Sequence, residues 1–102
     1  MLAPLVGEPF FFDLPPGIPV GVAADTYVER SIALSAGATA VLFSDGLVET
    51  RAASISDGLE RLRLAVAEIR LPPEAVADHI LSSLGAERGG DDDIALLVLS
   101  HP

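Results

Sequence analysis

The chain has 102 residues, 15 acidic against six basic side chains, a formal net charge of −9, and yet half of its residues are apolar, with a mean hydropathy of +0.49. This length implies one unit spanning 1–102, and a domain of that size hides only roughly two-thirds of its unfolded surface, so the apolar share points to a rich core or to a face meant for another polypeptide. All the basic residues are scattered Arg, which excludes the basic stripe that nucleic acid or an anionic membrane would need, and the absence of Cys removes disulfides and zinc-thiolate sites and fits a reducing cytoplasm.

Met1 to Gly7 lacks the basic start of a signal peptide, and the longest apolar stretch, Ile32 to Phe43, is broken by Ser35 and Gly37, too short for a membrane span. Pro9 to Leu14 carries three consecutive Phe and reads as a short strand closed by Pro15-Pro16-Gly17. Consecutive strand residues face opposite ways, so those aromatics must place at least one ring on each face. Ile18 to Val22 is a second short apolar piece. From Thr26 to Leu34 polar and apolar residues alternate with period two, as in a half-exposed strand; Ser35-Ala36-Gly37 reads as the turn after it. Thr39 to Ser44 is continuously apolar in its middle, the pattern of a strand covered on both faces, and with Thr26 to Leu34 it is expected to form an antiparallel hairpin.

Residues 45–55 read as a loop. Ser56 and Asp57 suit the N-cap of a helix whose Leu59, Leu62, Val66 and Ile69 share one face. Pro72-Pro73-Glu74 ends that helix and opens another, because the first-turn amides are unpaired anyway; Val76, Ile80, Leu81 and Leu84 form its stripe and Gly85 its C′ residue. Gly89-Gly90 precedes Asp91-Asp92-Asp93, and Ile94 to Leu99 is a second fully apolar strand. The order is four strands, two helices and a last strand, an α+β fold with mainly antiparallel strands and two helices between the last two strands.

The informative polar residues are acids at strand ends. Asp45 leaves one apolar strand and the Asp91-Asp92-Asp93 run enters another, so antiparallel neighbours would bring their carboxylates to one edge of the sheet. Such carboxylates without His or Cys are hard oxygen donors that suit Mg²⁺ or Mn²⁺ rather than zinc, and Gly46 would let the backbone come close to a cation. His79 beside Asp78 reads as a boundary histidine, and Ser44, Ser54 and Ser56 lack the partners of a nucleophilic serine.

The run Phe43-Ser44-Asp45-Gly46-Leu47-Val48-Glu49-Thr50-Arg51, followed some forty residues later by Asp91-Asp92-Asp93-Ile94-Ala95-Leu96-Leu97-Val98-Leu99, resembles the C-terminal half of bacterial PPM-type (type 2C-like) metal-dependent serine/threonine phosphatases. The nearest subfamily is that of sporulation stage II protein E and the sigma-factor regulator phosphatases. Leu14-Pro15-Pro16-Gly17-Ile18-Pro19-Val20-Gly21-Val22 and Leu34-Ser35-Ala36-Gly37-Ala38 are similar to two further segments of that family.

The resemblance implies part of an αββα sandwich, with Asp45 matching the family's metal-binding aspartate, Asp92 matching the aspartate of its last metal motif and Asp93 beside it. Asp91 can replace Asp92 by a shift of register, and Gly46, Glu49 and Arg51 recur in the motif as loop residues. The implied cofactor is Mn²⁺ or Mg²⁺, two ions in the complete domain. The implied substrate is a phosphorylated regulator of the anti-sigma-factor-antagonist type. Residues 1 to 30 hold nothing like the family's Gly-Gly-Asp motif. The expected partner is therefore an N-terminal half or a second subunit, and the isolated chain is expected to be weak or inactive, with no confident catalytic residue of its own.

Overall fold

The computed structural model describes residues 1–4, 7–12, 29–50, 54–68, 72–85 and 93–102. Three strands, β1 (Leu2–Ala3), β2 (Thr39–Phe43) and β3 (Leu96–Ser100), form one antiparallel sheet in the order β1-β2-β3; two helices, α1 (Ile55–Glu68) and α2 (Pro73–Ser83), lie in sequence between β2 and β3. The mixed, antiparallel α+β architecture and the two helices between the last two strands are those expected.

The pairing differs from expectation in one respect. β2 has β1 on one side, through Leu2↔Ala40 and Ala3↔Thr39, and β3 on the other, from Thr39↔Ser100 to Phe43↔Leu96. Residues 29–34, the described part of the expected partner strand, join no ladder. A strand has two edges, and both edges of β2 are occupied; in the described residues 29–33 the polar and apolar side chains are exposed alike. In the described part of the expected strand at Pro9 to Leu14, residues 9–12, a single bridge pairs Phe10 with Leu2 through reciprocal backbone hydrogen bonds of 2.8 and 2.9 Å. The expected strand Ile18–Val22 and the helix residue Ile69 lie outside the described residues. The Ser35–Ala38 turn forms as read: the Ala38 N–H donates to the Ser35 carbonyl at 3.0 Å, and Gly37 takes the positive φ of 82° that a side chain would resist.

Both helices form because their apolar spacing matches one face. Gly58, Leu62, Ala65 and Val66 are buried on α1, and Val76 and Ile80 on α2, with Leu84 beyond its end. α1 begins earlier than expected, and its cap is Ser54, whose Oγ accepts the Asp57 N–H at 3.2 Å. Pro73 opens α2 as anticipated, after Pro72 at the N-cap. The helices run antiparallel to each other: the Arg61 Nη2 donates to the Ser83 carbonyl at 2.8 Å, while Glu68 Oε2 lies 2.7 Å from His79 Nε2. His79 is thus the half-buried boundary residue that its position implied.

The helices cover one face of the sheet. Ala3 and Val41 join Leu47, Val48, Leu62, Val66, Val76 and Ile80 in the core, with Phe43, Leu96 and Val98 packed against it. Leu47 and Val48 belong to the segment expected to be plain loop; it folds instead as a 3-10 turn, Asp45–Leu47, that buries both. On the opposite face Leu2 is buried, but the leucines toward β3 are not. Leu42, Leu97 and Leu99 are 53%, 52% and 47% exposed, although the continuous apolar pattern of their strands predicts cover on both sides. No helix among the described residues is long and apolar enough to cross a membrane.

Candidate functional site

The site is assembled where β2 ends and β3 begins. Antiparallel pairing with Phe43 opposite Leu96 brings the exit of one strand to the entry of the other. Ser44 then fastens the two together. Its N–H donates to the Ala95 carbonyl at 3.0 Å, its Oγ accepts the Ala95 N–H at 2.9 Å, and its hydroxyl donates to the Asp93 carbonyl at 3.3 Å. One residue thereby fixes Asp45, its successor in sequence, and Asp93 at the same edge of the sheet.

Asp45 opens the 3-10 turn. Its carbonyl accepts the N–H groups of Val48 at 3.1 Å and Glu49 at 2.8 Å, so its backbone is committed to the turn while its carboxylate is exposed. That carboxylate makes no hydrogen bond or ion pair among the described residues. Gly46 is buried inside the turn and is not one of the glycines with positive φ, so it serves compactness here rather than an unusual backbone shape. Glu49 is exposed at the turn's end. Asp93 is exposed as well. Asp91, Asp92 and Arg51 lie outside the described residues.

The turn is held from below by α1. A Cβ built on Gly58 would stand 1.9 Å from the Val48 carbonyl oxygen, so only glycine lets the helix approach the turn this closely. An open groove of about 330 Å³, lined by Leu42, Phe43, Ser44, Ala95, Leu96 and Leu97, leads along the sheet to the clamped edge. Its walls are apolar apart from the serine.

Asp45 and Asp93 supply oxygen donors of the hard type that divalent magnesium or manganese prefers, and their backbone carbonyls are hydrogen-bonded. Among the described residues no group of three His, Cys, Asp or Glu side chains could hold a metal ion. The described donor set therefore fits part of a cation's coordination shell, not all of it. Reasoning from residue types alone passed over Ser44, which was weighed only as a nucleophile. The usable signal was its place: a hydroxyl residue between the last strand position and an Asp-Gly turn, where it can cap a neighbouring strand.

No curated protein and no solved structure matches this chain. The family model of Stage II sporulation protein E (SpoIIE) matches residues 5–102, nearly the whole sequence. The chain belongs to the SpoIIE family and is a phosphatase-related domain.

Proposed function

We propose that the Ser44-clamped edge is the cation-binding edge of a phosphoserine/phosphothreonine protein phosphatase, with Asp45, Asp92 and Asp93 as ligands of Mn²⁺ or Mg²⁺ and Asp91 as the alternative to Asp92. The observation that carries this reading is that Ser44, which immediately precedes Asp45, hydrogen-bonds the Ala95 backbone twice and the Asp93 carbonyl once, so both acidic residues stand at one edge of the sheet. A hard divalent cation supplies Lewis-acid stabilisation of the charge that develops on a phosphoryl group and makes water a better nucleophile. This chain's contribution is to hold the backbone that carries the carboxylates: Ser44 ties the ends of the two strands together, the 3-10 turn opens at Asp45, and Gly46 and Glu49 complete that turn. The phosphoprotein substrate is a bacterial regulator of the anti-sigma-factor-antagonist type, a reading supported by family membership and the motif match.

Three carboxylates, Asp45, Asp92 and Asp93, leave much of a divalent cation's shell to solvent, so turnover by the chain alone is slow. A second polypeptide carrying further carboxylates would raise it. The same incomplete shell favours a second reading, a non-catalytic interaction module that keeps the family's fold. Hydrolysis of a phosphoserine peptide with and without Mn²⁺ separates the two. Manganese-dependent phosphate release that disappears in Asp45→Asn supports the phosphatase; release that is absent, or unchanged by that substitution, leaves the interaction module.

A further inference from the structure

We infer that the outer face of α1 binds the same face of a second copy of this chain, helix against helix and antiparallel about a two-fold axis, with Leu64 of each copy seated in a hollow of the other. Arg61, Leu64 and Glu68 stand three and four residues apart, so they share one face of the helix, and all three are exposed, Leu64 by 49%. Beside Leu64 lies an open hollow of about 170 Å³, lined by Arg61, Leu64, Ala65, Glu68 and Ser83. Apolar knob and hollow thus belong to one patch, and a patch that can receive its own protruding side chain is what an isologous contact requires.

The order of charges along the helix sets the register. With the axis passing between positions 64 and 65, Leu64 lies opposite Ala65 of the second copy, Arg61 opposite Glu68, and Glu68 opposite Arg61. Two ion pairs then flank the apolar centre symmetrically. Both side chains are already tied to α2. Arg61 donates one Nη2 hydrogen to the Ser83 carbonyl at 2.8 Å and keeps further donors of its guanidinium, while Glu68 Oε2 lies 2.7 Å from His79 Nε2 and its Oε1 has no partner among the described residues. Groups held in place before contact lose less freedom on binding.

Net charge selects this surface over others. The chain carries −9, yet Ile55–Glu68 sets Asp57, Glu60 and Glu68 against Arg61 and Arg63, so α1 contributes only −1 of it. In the stated register Asp57 and Glu60 fall past the end of the opposing helix, and no like charges face each other on this stripe. One pair of helices buries less than the roughly 800 Å² per partner of a standard interface, so the association is weak: dilute protein is monomeric and the dimer fills at high concentration. None of these residues is a proposed cation ligand, so the contact stands apart from the Asp45 edge.

Sedimentation velocity of the 102-residue chain from micromolar to near-millimolar concentration is the test, with far-ultraviolet circular dichroism confirming that each variant is folded. The wild type is expected to pass from monomer to dimer over that range, Leu64→Glu to stay monomeric, and Leu97→Glu, altered on the sheet, to dimerise as the wild type does. Arg61→Glu and Glu68→Arg are each expected to be monomeric alone, since each sets like charges together twice, and to form a dimer when mixed in equal amounts, because the mixed pair restores both ion pairs. A wild type that is monomeric throughout overturns the inference. So does a dimer that survives Leu64→Glu or is lost in Leu97→Glu, and so does a mixture of the two charge variants that stays monomeric.

Discussion

Ser44 Oγ lies 2.9 Å from the Ala95 backbone nitrogen and accepts its hydrogen, while the same hydroxyl donates to the Asp93 carbonyl at 3.3 Å. This relationship makes the ends of β2 and β3 one structural unit, and places the side chains of Asp45 and Asp93 on backbone that neither strand controls alone. Ser44→Ala removes the acceptor of the Ala95 N–H and is expected to lower stability by about 1 kcal/mol. Urea denaturation of both proteins reads that difference. Ser44→Thr, which keeps the hydroxyl, should recover most of it.

Gly58 is the point where α1 meets the Asp45 turn. The Cβ of Gly58→Ala would be placed 1.9 Å from the Val48 carbonyl oxygen, a backbone atom that can move only with the turn. A loss of about 3 kcal/mol, at the upper end for an overpacked site, is expected in spite of alanine's better helix propensity. Thermal unfolding followed by circular dichroism measures it; an unchanged midpoint would show that the turn shifts freely.

Leu62 and Leu64 differ by two positions on α1 and by opposite environments, the first fully buried and the second half exposed. Leu62→Ala is expected to cost about 2–5 kcal/mol through lost burial and the cavity left behind. Leu64→Ala should change stability by no more than about 0.5 kcal/mol, since it touches the surface alone. Paired denaturation curves with equal slopes would establish the contrast.

The Glu60 carboxyl is held below its ordinary range, first by the hydrogen bonds from Arg63 at 2.9 and 2.6 Å and then by the charge of that guanidinium. An acid whose pKa falls on folding adds stability above its unfolded value, and the contribution disappears as pH drops through the folded value. The stability difference between wild type and Glu60→Gln should thus be largest at neutral pH and vanish in acid. The pair is exposed, so the difference is small and shrinks further in high salt. Denaturation midpoints at neutral and acid pH, with and without added salt, test both statements.

The helices were legible in the sequence because their signals are local: apolar residues three and four apart, Pro73 at a start and Gly85 past an end act within a few residues of themselves. The antiparallel pairing of the strand that ends before Asp45 with the last strand was legible for a similar reason, since strands joined by a helical pair are natural neighbours. The pairing of β2 with Leu2–Ala3 was not. Two residues carry no periodicity, and the competing alternation at Thr26 to Leu34 looked like a better partner. Leu47 and Val48 were missed because a 3-10 turn buries its apolar residues without any repeat longer than itself. Ser54 lost to Ser56 and Asp57 in the reading of the cap, since several good capping residues stood together and only the backbone decides which hydroxyl meets the free N–H.

The apolar excess has a location as well. Part of it is exposed on Leu42, Leu97 and Leu99, although their strands read as covered on both faces.

The central claim, that the edge fastened by Ser44 holds a divalent cation through its aspartates, is tested most directly by titrating Mn²⁺ into the wild type and into Asp45→Asn and Asp93→Asn by calorimetry. The account predicts a saturable heat for the wild type that each substitution weakens or abolishes, with Ser44→Ala intermediate. Equal heats in all four proteins, or none in the wild type, would contradict it.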